Sequence, residues 1–482
     1  MNRSDQATGA NSAVDRNVVL AVIALSSFLA SLMGSSTNVA IPSIGREFAV
    51  DAITLSWIPT AYLLALAMVL VPVGKLADIH GRKKFFLYGT VGWTLVSLLC
   101  GLATSAALLI AARALQGIAG AMTAATSAAI VTSVYPPRER GRALGISVSA
   151  TYTGLTVGPF VGGIMTQQLG WRSMFFLSAA LGALVVAVIV WKMRVEWADA
   201  QGQKLDVVGS LIFALTLLAI MYGFSALPAP LGACFILAGI VGLGAFVWWE
   251  GRVTNPVLDL GLFRHNVVFT MSNLAALINY AASFAIGFLL SLYLQYIKGL
   301  DPQTAGLVLL TQPAIMAVFS PLAGRLSDRI EPRLVASAGM AITGAGLVLI
   351  GFLNEAWGLE YLVITLVIVG FGFALFSSPN TNAIMGSVRR QHLGVASATL
   401  SLMRSVGMML SMGIATLIIA VYVGGVQITP QNHAAFASAF RLAFIIFPAL
   451  CLVGVFASLA RGKLHGGNGA GPLPGTPPAE QR

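Results

Sequence analysis

The chain has 482 residues, 57% of them hydrophobic and only 9% Asp, Glu, Lys or Arg, with a formal net charge of +11. A soluble domain carries about 25% charged residues, so this composition excludes a water-facing globular surface and makes lipid the natural solvent. The basic residues stand singly between apolar runs and read as membrane topology rather than a nucleic-acid surface. Cys100, Cys234 and Cys451 all lie inside such runs, with no spacing for a disulfide framework or a zinc site.

A bilayer core of about 30 Å needs about 20 helical residues. Apolar runs of that length fall near 18–40, 54–76, 85–103, 106–134, 141–167 and 172–193. A polar stretch with Trp197, Asp199, Lys204 and Asp206 follows, then runs near 207–226 and 230–250, then a loop with Arg252, Asn255, Pro256, Asp259 and Arg264. The last six runs lie near 266–297, 303–325, 333–353, 358–387, 393–424 and 436–461. The expected fold is an all-α polytopic membrane protein of fourteen spans. The first run is too long for the apolar core of a cleavable signal and has no short small-residue exit. Residues 1–17 and 462–482, polar and Gly/Pro-rich, are expected to be disordered tails.

With the N-terminus inside, 22 of the 28 Lys and Arg fall in tails or cytoplasmic loops. Of the other six, Arg46, Arg172 and Lys298 lie in outer loops, while Arg113, Arg404 and Arg441 lie within spans. That asymmetry follows the positive-inside rule and would vanish if the count shifted by one helix. Trp57, Trp171, Trp191, Trp248, Trp249 and Trp357 sit near helix ends, where amphipathic rings anchor. Both termini are therefore expected in the cytoplasm, with the chain in the cell (inner) membrane.

The sequence also repeats itself. After the second span it reads PVGKLADIHGRKK (Pro72 to Lys84), and after the tenth PLAGRLSDRIEPR (Pro321 to Arg333), with Gly and Asp 250 residues apart in the two copies. Gly141 and Gly154 match Gly394 and Gly407 at an offset of 253. Two six-helix halves in parallel repeat, with two helices between them, account for the fourteen spans. The boundaries expected are 18–193 for the first bundle, 194–264 for the inserted pair with its linkers, and 265–461 for the second.

These segments carry a family resemblance. GKLADIHGRKK resembles the signature loop between the second and third helices of the major facilitator superfamily. Leu109 to Gly117 (LIAARALQG) resembles its fourth-helix arginine motif, and Gly154 to Gly163 (GLTVGPFVGG) its fifth-helix antiporter motif. With the two inserted helices, the resemblance is to the fourteen-helix drug:proton antiporter branch. It implies a secondary active transporter working by alternating access, an exporter of amphipathic small molecules of the multidrug efflux type.

Each motif also has a physical reading. Gly74 and Gly81 let the loop turn tightly and another helix approach. Asp78 can accept from helix N-termini or from arginines of nearby loops such as Arg138 or Arg142, and Arg82 can pair in turn. Together with Asp328 and Arg329 of the second copy, they form a candidate charged latch that favours closure on the cytoplasmic side. The alternative is a solvated basic loop that only sets topology, the role given to Lys83 and Lys84. In the fifth span Gly154, Gly158, Gly162 and Gly163 allow close packing in lipid, and Pro159 removes a backbone donor and bends the helix.

Arg113 lies deep in the fourth span and Arg404 deep in the thirteenth. A central arginine costs about 2.5–3.5 kcal/mol on insertion scales, so both should face the protein interior. Gln116 lies one turn beyond Arg113. Arg441 is near a span end and can snorkel, so it receives no role. Asn38, Tyr62, Tyr152, Asn279, Gln312, Asn380 and Asn382 are interior polar candidates, for substrate contact or for interhelical hydrogen bonds. Met403, Met408, Met409 and Met412 could form an adaptable apolar wall, or simple filling.

One departure from the family matters. The first helix of this branch usually carries an aspartate about nine residues before an Asn-Val-Ala-Leu-Pro-like end; here Asn38 to Pro42 is present, but Met33 occupies the acid's position. None of the 17 Asp and Glu falls in the middle of a span; Glu250 and Asp78 come closest, at cytoplasmic ends. The resemblance implies a proton as coupling ion, and Met33 removes the obvious residue for it. No cofactor or metal is expected. A membrane-embedded enzyme would need acids, nucleophiles or ligands at membrane depth, and the five histidines lie in loops or tails. A receptor or scaffold has no need of the repeat. A lipid or organic-anion carrier, a flippase or an uptake carrier of the same fold remain alternatives. The expected partners are the bilayer and an amphipathic substrate, with no nucleic acid and a functional monomer.

Overall fold

A computed structural model describes residues 15–462 apart from 137–138, 199–201, 203–204, 255, 259, 354–356 and 389–392, and leaves the side chain of residue 328 undescribed. Most of the two expected tails, and Arg138, Lys204, Arg389 and Arg390, therefore lie outside the described residues.

Among the described residues fourteen long helices follow one another. The first eight are α1 (Arg16–Phe48), α2 (Ala52–His80), α3 (Arg82–Gly101), α4 (Ala106–Val134), α5 (Arg140–Leu169), α6 (Arg172–Lys192), α7 (Val207–Ala226) and α8 (Pro230–Glu250). Then come α9 (Val267–Ile297, interrupted), α10 in two pieces (Pro302–Leu309 and Thr311–Arg329), α11 (Pro332–Gly351), α12 (Leu359–Gly386), α13 (Leu393–Tyr422) and α14 (His433–Ala460). Among the described residues thirteen of these are long and apolar enough to cross a membrane. The exception, α5, has the length at 30 residues but is diluted by Gly, Ser and Thr. Its small side chains pack on neighbouring helices, which need less apolarity than lipid does. The chain is an integral, multi-pass, all-α membrane protein.

Local chemistry starts the helices. Asp15, Asp51, Ser105, Asp206, Asn266 and Asp301 each accept a backbone N–H of the first turn. Two of these caps are copies. Thr54 gives its N–H and hydroxyl to Asp51 at 2.9 and 2.7 Å, and Thr304 gives the same pair to Asp301 at 2.9 and 2.7 Å. Helix α1 runs through Pro42 to Phe48, beyond the end expected near residue 40, so Asn38 to Pro42 is helix interior. Helix α9 breaks near Phe284, where Ser411 of α13 accepts the Ala285 N–H at 3.0 Å, and ends in a π-turn at Tyr293–Ile297.

Packing repeats as well. In the first six helices α1 lies along α5, α4 against α2 and α3, and α3 against α6. In the last six α9 lies along α13, α12 against α10 and α11, and α11 against α14. A Cβ on Gly154 would collide with the Phe28 carbonyl of α1, and one on Gly407 with the Leu277 carbonyl of α9. Glycine thus permits the same close crossing in both places. Helices α7 and α8 pack on each other, and α7 touches both α2 and α13.

The end at which α1 begins, rich in Lys and Arg, is termed the basic face. At the opposite face hydrogen bonds close the seam between the first six and last six helices. Gln295 donates to the Val39 carbonyl at 2.8 Å, Tyr296 to Pro42 at 3.2 Å, Thr416 to Ser56 at 2.8 Å, and the Ala52 N–H to Val426 at 3.4 Å. The α5–α10 crossing is tighter still, since a Cβ on Gly306 would strike the Pro159 carbonyl and one on Gly163 that of Pro302. Towards the basic face Gly141 and Gly145 of α5 and Gly394 of α13 are exposed, with open space beside them. Basic residues of the opposite face serve as pins. Arg46 reaches the Gln295 carbonyl, Arg172 that of Ala103, and Lys298 that of Trp357.

Candidate functional site

The seam carries a polar cluster at mid-depth. Arg404 of α13 is half-buried, gives Nη2 to Thr381 of α12 at 2.9 Å, and lies 5.6 Å from the centre of the Tyr280 ring of α9. Its Nε has no hydrogen-bond partner. Tyr152 of α5 comes from the other side, sharing a 2.8 Å hydrogen bond with Ser377 of α12 and packing on Tyr280, Met316 and Phe373. Met408 joins the same apolar wall, whereas Met409 and Met412 are buried filling. The arrangement is a cation with a spare donor, two phenols and an apolar lining, at the seam of the two helix groups. Among the described residues it has no carboxylate partner.

Arg113 is placed differently. It is 2% exposed, stacks 4.6 Å from the Tyr62 ring centre, donates to the Ile58 carbonyl at 3.4 Å and to Gln116, which donates in turn to Ser97 at 2.8 Å. All these partners belong to α2, α3 and α4. Its partners all come from the first six helices, and none belongs to the Arg404 cluster.

The remaining candidates scatter. Asn279 is fully buried with both amide atoms unpartnered, and Asn38 Oδ1 is likewise unpartnered. Asn382 donates to Ser327 at 2.9 Å. Gln312 lies where α10 is crossed by Gly370 of α12. Asn380 donates to the Ser272 carbonyl and accepts from Arg461. Met33 is buried in the core, as an apolar residue there should be.

At the basic face Asp78 holds Arg82 at 2.6 Å, and Arg82 reaches Ser133 of α4 at 2.8 Å. Arg142 and Arg329 are exposed; Arg138 and the Asp328 side chain lie outside the described residues. The loop has a partner that sequence reasoning missed. Glu196, beyond α6, accepts the N–H groups of Lys83 and Lys84 at 2.8 and 3.2 Å, and the Arg82 N–H binds the Trp197 carbonyl at 2.8 Å. Helix α3 has no side-chain cap of its own, so this remote carboxylate supplies one. Gly81, at φ 123°, leaves room for Glu196. That uncapped start was the available signal.

Arg461, read from the sequence only as a loop charge, was missed too. It is 1% exposed and binds Ser272, Asn380, Ser458 and the Pro332 carbonyl, tying α9, α11, α12 and α14 together. Burial draws its pKa down to about 10, which leaves it charged at neutral pH.

A profile described as the Major Facilitator Superfamily matches residues 23–206 and 273–479. The multidrug resistance protein Stp of Mycobacterium tuberculosis (strain CDC 1551 / Oshkosh) is 33% identical over 402 residues, covering 82% of this chain and 74% of that one. The riboflavin transporter RibZ of Clostridioides difficile (strain 630) is 28% identical over 445 residues, covering 92% and 96%. A solved bacterial homologue of the human lysosomal transporter Spinster, inward-facing and unoccupied, superposes with a TM-score of 0.68 at 18% identity over 92% of this chain and 97% of that one. At that identity the likeness is one of fold.

Proposed function

The chain belongs to the Major Facilitator Superfamily and is a carrier of small molecules rather than an enzyme, and from that premise we propose that it exports anionic or uncharged amphipathic compounds, driven by a proton gradient. The observation that carries the charge preference is Arg404, a guanidinium at the seam with an unpartnered Nε and, among the described residues, no acid beside it. Arginine keeps its proton at any useful pH. A lipophilic cation entering the seam would meet poorly screened repulsion, whereas a carboxylate, sulfonate or phosphate head would gain charge-assisted hydrogen bonds and lay its tail on the apolar wall.

The fourteen-helix, six-plus-two-plus-six reading belongs to this proposal. It is supported by the repeated helix pairings and by the profile match, which leaves out 207–272, the stretch that holds α7 and α8. The bundles are then 18–193 and 265–461, with 194–264 inserted. Charge asymmetry supports placing the basic face and both termini in the cytoplasm of a cell membrane. On that orientation the hydrogen-bonded seam is closed outside, and the Asp78–Arg82 pair belongs to a cytoplasmic latch that forms as the halves rock. Relatives named for drug resistance favour export. A second reading, uptake, is favoured by the nearly end-to-end match to a riboflavin transporter.

Transport by everted vesicles of a fluorescent lipophilic cation and of an anionic lysolipid tests the proposal. Accumulation of the lysolipid on imposing a proton gradient, with little of the cation, is expected. Robust cation accumulation without the anion would overturn the charge reading, and anion uptake only by right-side-out vesicles would establish the second one.

A further inference from the structure

The basic-face ends of α7 and α8 hold two carboxyl groups in unlike surroundings. Asp206 accepts the Gly209 N–H at 2.9 Å, and the Trp249 indole N–H reaches both its oxygens at 3.1 and 2.9 Å. It is well supplied with donors. Glu250 is 3% exposed; its Oε2 accepts the Leu258 N–H at 3.0 Å, but its Oε1 has no hydrogen-bond partner. A Cβ on Gly209 would collide with both Asp206 Oδ2 and Glu250 Oε1, so these two oxygens lie within about 5 Å of each other, where one carboxylate resists the ionisation of its neighbour.

Among the described residues these are the only buried carboxyl side chains. Among the described residues no ion pair involves either of them. Helix α7 is packed by α8, α2 and α13. Helix α2 brings Lys75, Asp78 and His80 to this end; among the described residues the charged side chain that bears on Glu250 is Asp206, set against the N–H groups of Leu258 and Val257. Arg252, next along from α8, lies over the Trp248 ring at 3.8 Å. A buried carboxylate oxygen with no donor, facing a second carboxylate, is costly; a proton on it removes both penalties.

We propose that Glu250 carries a proton on Oε1 at neutral pH and donates it to Asp206 Oδ2, making the foot of α7 and α8 the proton-binding site of this carrier. The assignment rests on the reading of the chain as proton-driven. Helix α7 touches α2 and α13, one from each group of helices, and meets Gly413 of α13 at Met221 and Phe224, so a shift of its foot is carried along the helix to both. Loss of the proton sets two anions together, drives Glu250 from Asp206 and loosens the α7–α8 foot; reprotonation closes it, giving the coupling a mechanical route.

Infrared spectroscopy of the purified full-length carrier at neutral pH tests the placement. Glu250→Gln keeps an acceptor for Leu258 and offers an N–H to Asp206, so it mimics the protonated form. The wild type should show a carboxylic-acid C=O band that Glu250→Gln removes and Asp206→Asn shifts; a spectrum unchanged by Glu250→Gln overturns the proposal. The native state then holds a proton that the unfolded chain releases at neutral pH, so wild-type stability should fall as pH rises while that of Glu250→Gln stays level; parallel profiles would also overturn it. In proteoliposomes proton-driven accumulation should drop on the order of tenfold in Glu250→Gln, and its substrate exchange should lose pH dependence. A lost band with coupling intact would refute the coupling role. A wild type that moves no anionic amphiphile would count against the functional reading instead, leaving the infrared result standing.

Discussion

Arg113 and Arg404 are both guanidiniums set deep in the bundle, and their surroundings could hardly differ more. Arg113 is sealed among α2, α3 and α4, with the Tyr62 ring, the Ile58 carbonyl and Gln116 as partners. Arg404 stands at the seam with one hydrogen bond, a tyrosine face and an idle Nε. Membrane depth alone requires each to face protein. What separates a scaffold charge from a binding charge is whether its own helices satisfy it. On that ground we propose the first as structural and the second as the substrate contact.

The largest expected effect of breaking the comparison lies at Arg113. Arg113→Gln removes the centre of a buried network and strands its partners, a loss of about 2–4 kcal/mol measurable as a drop in thermal midpoint. Its preference for anions over cations should not move. A variant of normal stability with altered preference would place Arg113 in the binding site after all.

The seam itself comes next. Gly306→Val puts a side chain against the Pro159 carbonyl at the closed end, at a cost of about 1–3 kcal/mol for that closed arrangement alone. Spin-label distances across the two helix groups should lengthen at the opposite face; unchanged distances would mean that the α5–α10 contact does not hold the seam.

A smaller effect belongs to Asp78. Asp78→Asn keeps the size but loses the ion pair with Arg82, which is partly exposed and contributes about 0.5–1 kcal/mol. Transport should fall several-fold while substrate affinity persists. Loss of affinity with an unshifted conformational population would contradict a latch.

The smallest effect is at the copied caps. Asp301→Ala should cost about 0.5 kcal/mol, at the low end for an exposed cap. The Thr304 backbone N–H and then its hydroxyl hold the Asp301 carboxyl below its ordinary value. Its contribution is therefore present above the unfolded pKa, near 4, and lost as pH falls through the lower folded value. A stability difference between wild type and Asp301→Ala that grows on acidification would contradict this sign.

Much of the fold was legible because lipid imposes a simple rule: long apolar runs and a charge bias are visible residue by residue. The glycine pair 154 and 407 was legible for the same reason, since small residues at one offset mark repeated close crossings. What escaped depends on three-dimensional neighbours. Helix α1 continues through Pro42 because its last turns are held by α9, through Gln295 and Tyr296. Trp171, read as an interfacial anchor, is buried and donates to Glu47 at 2.7 Å. Glu196 and Arg461 looked like loop charges, and only the fold brings one to the start of α3 and turns the other inward. The Asp51–Thr54 and Asp301–Thr304 caps did stand in the sequence 250 residues apart, but one short polar echo is invisible beside so many apolar runs.

The most direct test of the account reverses the charge at the seam. Arg404→Glu replaces the uncompensated cation with an anion while leaving Tyr152, Tyr280 and the apolar wall in place. In proteoliposomes of purified wild type and variant, transport of an anionic lysolipid and of a lipophilic cation of matched tail length gives one selectivity ratio for each protein. The account predicts a ratio well above unity in the wild type and its inversion in Arg404→Glu. A ratio that is the same in both proteins would contradict it.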